Sequence, residues 1–241
     1  LTPAEAQAQR DLIERRLMGP DGARLFDRPL DYHGGPQRLF QRAESSAFFG
    51  REIGVMYMHA HLRYAEMLAH LGEAQRLFDA LQRIHPIGLQ AVVPAATPRQ
   101  ANCYYSSSDA AFADRYEASA HYGRILEGTV PLDGGWRVYS SGPGLALSLL
   151  VGGFLGLRRE GGDLLIDPVM PASLDGLQAR VTVDGLVLAL RYHPGPQGHG
   201  PQTLRLAGEP LPPEATTRVP HAYRLGGLRL RGGAQPRGRA H

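Results

Sequence analysis

Lysine is missing altogether: every one of the 26 basic side chains is an arginine, set against 23 acidic ones. The net charge of +3 and the pI near 9.2 are therefore carried by arginines spread along the chain and mostly alternating with acids. That spread argues against a nucleic-acid surface, which gathers its cations into a patch. Only the run from Arg229 to Arg239 is concentrated, and its glycines make it read as a disordered end. Cysteine is nearly absent as well. Cys103 stands alone, which excludes a disulfide framework and a Cys-based metal site and leaves a half-buried structural thiol. No apolar run reaches the ~20 residues of a membrane span, and Leu1 opens no signal-peptide pattern. Neither nucleic acid nor membrane is an expected partner, and the cytoplasm is the default location. A first residue of Leu where Met is usual makes a piece of a longer product the expectation.

The hydrophobic content of 43% is that of a globular chain, with ample material for a core. The most informative stretch runs Gly134-Gly135-Trp136-Arg137-Val138-Tyr139-Ser140-Ser141-Gly142-Pro143-Gly144, followed by an almost wholly apolar run to Leu157. Gly142 and Gly144 let backbone approach a ligand, and Pro143 suits the first turn of a helix. The segment reads as a bent loop feeding the N-terminus of a buried helix. The positive end of such a helix, with the hydroxyls of Ser140 and Ser141, attracts an anion such as phosphate. The plainer explanation, glycines turning a corner, stands beside it. Neither a Gly-Lys-Ser/Thr P-loop nor a G-x-G-x-x-G dinucleotide loop is present.

Taken in order, Thr2-Pro3-Ala4-Glu5 forms a capping box that starts a helix, and Gly19-Pro20 stops it. Residues 20–36 read as a long loop anchored by Phe26 and Tyr32. The strongest helix is expected over Arg51–Leu71, ending at Gly72. Ala74, Leu77, Phe78 and Leu81 mark a second helix, closed by His85-Pro86, so the two form an antiparallel hairpin. Residues 86–107 are loop-like, and 108–122 suggest a short helix. Strands are expected over 164–166, 178–183, 186–192, 202–206 and 223–230. Asp184-Gly185 is a hairpin signal between two of them. The chain is thus mainly α, then β. It divides into a helical part over 1–157, an all-β part over 158–233 and a disordered tail over 234–241.

Several side chains could carry chemistry. His59 and His61 lie two apart on a helix and point to nearly opposite sides, a poor metal site, so one faces in and the other out. A core histidine satisfied by a hydrogen bond is the commoner fate of either. Glu52 precedes His59 by two helical turns and would share its face, as a ligand or as a surface ion-pair partner. Tyr104, Tyr105 and Ser106, with Ser107, Ser108 and Asp109, combine aromatic faces with polar groups, as sugar sites do. A solvated, capped turn would use the same residues.

Together these motifs resemble the cellobiose phosphorylase family, glycoside hydrolase family 94, and within it the 1,2-β-oligoglucan phosphorylase branch. The residues that carry the resemblance are Phe40-Gln41-Arg42-Ala43-Glu44-Ser45-Ser46, Phe49-Gly50-Arg51-Glu52-Ile53-Gly54, Tyr57 to Tyr64, Asn102 to Ala110, Asp114-Arg115-Tyr116 and Gly134 to Gly144. Asp167-Pro168-Val169 and Leu174-Asp175-Gly176-Leu177 extend it. The resemblance implies the closing portion of an (α/α)6 toroid followed by a β-sandwich. It also implies phosphorolysis of a β-glucosidic bond with inversion, releasing α-glucose 1-phosphate. Inorganic phosphate is then a co-substrate beside a β-glucan oligosaccharide, with no cofactor and no metal. Members often form dimers, so a homodimer is an open expectation. By resemblance His59, Ser141 and Gly142 contact phosphate, while Glu52 and the Tyr104–Ser106 loop contact sugar. Ser-Ser-Gly-Pro-Gly replaces the commoner Thr-Gly-Thr/Ser-Ala, keeping hydroxyl and glycine. The general-acid aspartate and one phosphate-site arginine of the family fall before this chain begins, so a C-terminal fragment without a catalytic acid, inactive alone, is expected. Two alternatives stay open: the phosphorylase-like end of a cyclic β-1,2-glucan synthase, and a non-catalytic carbohydrate-binding module.

Overall fold

The structure is a computed structural model that describes residues 1–28, 54–85, 89–92, 94, 108–134, 141–183 and 185–232. The fold is mixed helix and sheet, built on small antiparallel sheets. It divides into two compact units, each drawn from two stretches of chain: Leu1–Tyr64 with Asp79–Ala146, and Ala65–Phe78 with Leu147–His241. Among the described residues no helix is long and apolar enough to cross a membrane.

In the first unit, helix α1 (Pro3–Arg16) begins as its sequence dictates. Glu5 N–H donates to the Thr2 hydroxyl at 3.3 Å, and Thr2 N–H donates back to the Glu5 carboxylate at 2.8 Å. Helix α1 ends before the expected Gly19-Pro20 stop, and strands β1 (Met18–Gly19) and β2 (Gly22–Ala23) form a tight hairpin that leads into the expected loop, with Gly22 at a φ of +131°. A three-stranded antiparallel sheet follows, with β4 (Ser108–Ala110) between β3 (Val55–Met56) and β5 (Leu132–Gly134). Its neighbours supply a core of Ala110, Phe112, Ala118, Tyr122, Ile125, Val130 and Leu132.

Two expected helices are shorter than the sequence suggested. The long helix does not run from Arg51; α2 spans Met58–Leu71, because Gly54 turns at a φ of +77° and Val55 and Met56 pair with Asp109 and Ser108. Ladder partners far along the chain override local helical preference here. The segment 108–122 likewise opens as β4, and α5 (Arg115–His121) starts only where the Asp114 carboxylate accepts the N–H groups of Tyr116 and Glu117. Helix α3 (Ala74–Ile84) follows α2 across Gly72, itself at a φ of +77°. Short helices α4 (Leu89–Val92) and α6 (Gly123–Leu126) complete the set before α7 (Ser141–Leu149), which runs on into a π-helical turn at Leu150–Phe154. The segment expected as a buried helix keeps one side in solvent, with Leu147 54% exposed.

The second unit holds the larger sheet, antiparallel in the order β12-β13-β7-β6, formed by Thr216–Arg218, Leu228–Leu230, Asp163–Ile166 and Leu157–Glu160. Strands β8 (Gln178–Val183) and β9 (Leu186–Arg191) make the hairpin expected at residues 184–185, with Gly185 at a φ of +79°. Strands β10 (Arg205–Leu206) and β11 (Glu209–Pro210) make a second, shorter one. Arg229, read as part of a loose tail, instead pairs with Glu160 from within β13. Asp167, 2% exposed, accepts two hydrogen bonds from Arg224 at 2.7 and 2.8 Å, and Arg158 reaches it at 3.2 Å.

Candidate functional site

The residues singled out for phosphate stand at the starts of two helices, α2 and α7. His59 is its second residue, half-buried, with its ring facing that of Tyr57 at 5.9 Å between centroids and 14° between planes. Ser141 and Gly142 are the first two residues of α7. Gly142 is buried against Met58, the first residue of α2; a side chain there would collide with the Met58 methyl group. The Met58 side chain therefore links the starts of the two helices within the first unit, and the imidazole of His59 belongs to the first turn of one of them. Each N-terminus carries roughly half a positive charge and directs backbone N–H groups outward. A helix start with an imidazole in its first turn suits an anion. Pro143, third in α7, keeps that turn helical without needing an N–H partner.

The two histidines separate as their spacing implied, and the structure assigns which is which. His61 is fully buried. Its Nδ1 accepts the N–H of Ala23 at 3.0 Å, which fixes the proton on Nε2, and that N–H donates to the Ala80 carbonyl at 2.9 Å. Burial is the main reason its pKa is pushed down to about 4; Arg83 and Arg24 push the same way, and the Ala80 bond and Asp21 oppose them. Asp21 and Arg24 form a buried ion pair at 2.6 Å in the same unit. At neutral pH His61 is thus an uncharged anchor. His59 is the histidine left at the helix entrance.

The sugar-contact candidates Glu52, Tyr104, Tyr105 and Ser106 lie outside the described residues, as does Cys103. Glu52 and His59 are not two turns apart on one continuous helix as expected, because the Gly54 turn and β3 lie between them in the chain. Sequence reasoning missed Met58 and Gly22, and foresaw a buried, hydrogen-bonded histidine without saying that it is His61. A signal for His61 existed: it falls in register with Ala65 and Leu68 on one helical face, and both are fully buried.

No family model matches the chain. Over 226 residues it is 42% identical to a 1,2-beta-oligoglucan phosphorylase of Listeria innocua serovar 6a, an alignment covering 94% of this chain and 20% of that protein. It is also 30% identical over 177 residues to the cyclic beta-(1,2)-glucan synthase NdvB of Rhizobium meliloti, covering 73% of this chain and 6% of that protein. The chain thus spans a fifth or less of the length of the curated relatives it matches. The resemblance to the 1,2-β-oligoglucan phosphorylases is borne out along nearly all of its own length.

Proposed function

We propose, from this kinship with a 1,2-β-oligoglucan phosphorylase, that the chain forms the phosphate-gripping part of an inverting phosphorylase. In the reaction an oxygen of inorganic phosphate attacks the anomeric carbon from the face opposite the leaving sugar. The β-1,2-glucosidic bond breaks, a carboxylic acid protonates the departing oxygen, and α-glucose 1-phosphate is released. Phosphate is already charged, so no general base is needed. What the protein must supply is a cradle that neutralises the dianion and holds it in line with the carbon. The observation that carries this reading is the seating of Gly142 on Met58, which joins the starts of α7 and α2 beside His59. His59, Ser141 and Gly142 are assigned to phosphate. Glu52, Tyr104, Tyr105 and Ser106 are assigned to sugar, and the proton donor to residues outside this chain.

On the same reading residues 1–157 belong to an (α/α)6 toroid and 158–233 to a β-sandwich. A second reading, the phosphorylase-like part of a cyclic glucan synthase, draws on the likeness to NdvB, lower in identity and over a smaller share of both chains. The test is release of glucose 1-phosphate from β-1,2-gluco-oligosaccharides and phosphate by the intact protein. In it His59→Ala is expected to cost about 2.7–4 kcal/mol in kcat/KM, the usual effect of losing one donor to a developing or bound anion. Phosphate-dependent turnover that survives His59→Ala unchanged removes His59 from the site. Elongation from a nucleotide sugar, with no phosphorolysis, would favour the synthase.

A further inference from the structure

We propose that His61 is a positioning residue for the phosphate site: it pins the first turn of α2 to two other backbone segments and so sets where His59 points. The inference rests on His59 being a phosphate ligand. Three contacts of His61 bear on it. Its backbone N–H donates to the Tyr57 carbonyl at 3.0 Å, tying down the residue whose ring faces His59. Its Nδ1 takes the Ala23 N–H from β2, and its Nε2–H reaches the Ala80 carbonyl in α3. The first turn of α2 is thus held at one point from both sides, along a line set by the imidazole. Gly22 makes room for this: a side chain there would come within 2.9 Å of Nδ1, and its φ of +131° suits only glycine.

The chemistry explains why an imidazole stands there. The clamp needs an acceptor on one side and a donor on the other, at a fixed span, and neutral imidazole supplies both. A lysine or arginine in its place would compete with the helix ends for the anion, and a carboxylate would repel it. A phenylalanine would fill the volume but orphan the Ala23 N–H, from a buried residue, and cut the tie to the Ala80 carbonyl in α3.

The test uses His61→Asn, which retains a polar atom at the Nδ1 position, and His61→Gln, which retains one at Nε2, both in the intact protein. Each keeps one half of the clamp. Each should raise the KM for phosphate by about tenfold or more, the scale of a sub-ångström misplacement, and leave the KM for the oligosaccharide within about twofold. Saturating phosphate should restore much of kcat. In a His59→Ala background the same substitutions should have no further effect on the phosphate KM, because they act through His59. Gly22→Ala, which keeps the imidazole but presses on its Nδ1 side, should shift the phosphate KM in the same direction and serves if the His61 variants fold poorly. Variants that lose thermal stability while keeping the wild-type phosphate KM would overturn the proposal, as would effects that add in full to those of His59→Ala. If His59→Ala itself leaves phosphate kinetics normal, it is the underlying assignment of His59 that fails.

Discussion

Both units bury polar groups and both bury an ion pair, but beside its Asp21–Arg24 pair the first also keeps an uncharged anchor. In the first, His61 is neutral and bonds only to backbone, through Ala23 and Ala80. In the second, Asp167 is charged and held by two guanidinium groups, with Arg224 also donating to the Ala69 carbonyl at 3.0 Å. A neutral clamp leaves the potential at a nearby helix end undisturbed. An ion pair does not, and it draws its strength from being kept dry. The two anchors thus differ in what they ask of their surroundings, and the Asp21–Arg24 pair shows that the first unit uses both kinds. The comparison can be broken by removing each anchor in turn.

The largest effect is expected at Asp167. Asp167→Ala strands the Arg224 guanidinium, whose side chain is only 4% exposed, next to a second cation at Arg158. Removing one partner of a buried pair typically costs about 3–5 kcal/mol. Urea unfolding of the variant at neutral pH checks this. A loss under about 1 kcal/mol would mean that the pair is solvated and that the contrast with His61 is not one of burial.

The next effect is a pH dependence that belongs to the imidazole. Unfolded, His61 takes a proton near 6.5; folded, it resists until about 4, mainly because it is buried. Below 6.5 the unfolded chain binds more protons, so stability present at neutral pH drains away as the pH falls towards 4. The whole window is worth on the order of 3 kcal/mol. His199 and His221 are also held below their ordinary values, first by burial and then by Arg224, so total stability mixes several groups. The measurement is therefore a difference. The stability advantage of wild type over His61→Gln should shrink by about 1 kcal/mol per pH unit below 6.5, since glutamine does not titrate. A constant gap between pH 7 and 5 would show that His61 takes up its proton as readily in the fold as in the unfolded chain, so that burial does not hold it neutral.

How much of this was legible in the residues follows from the range of the interactions. The capping box at Thr2 and Glu5, the Gly72 break and the β8–β9 hairpin are all decided within a few residues, and all were read correctly; α1 stops at Arg16, short of the expected Gly19-Pro20, because Met18 and Gly19 already pair with Ala23 and Gly22. The start of α2 and the nature of residues 108–110 were not, because both are settled by a ladder between Val55–Met56 and Ser108–Asp109, some fifty residues apart in sequence. Local propensity carries no trace of that pairing. The site shows the same split. A hydroxyl–glycine corner at Ser141 and Gly142 and a histidine at 59 could be named from sequence and resemblance. That Gly142 lies on Met58, which brings the two helix ends together, required the fold.

The smallest effect uses the same chemistry as Asp167, in the same sheet, with only burial changed. Arg229 in β13 reaches Glu160 in β6 at 2.6 Å, shorter than any of the contacts to Asp167, yet the two side chains are 38% and 40% exposed. If distance decided strength, this pair would rival the buried one. Water screens it instead, and ordering two long side chains takes back part of the gain, so a double-mutant cycle on Arg229→Gln and Glu160→Gln should return a coupling of about 0.2–1 kcal/mol. It should fade further in molar salt, where the screening length falls to about 3 Å and dissolved ions compete for both exposed groups. The Asp167–Arg224 coupling should persist there, because no salt ion reaches a carboxylate that is 2% exposed. Equal salt sensitivity in the two pairs would mean that burial is not what separates them.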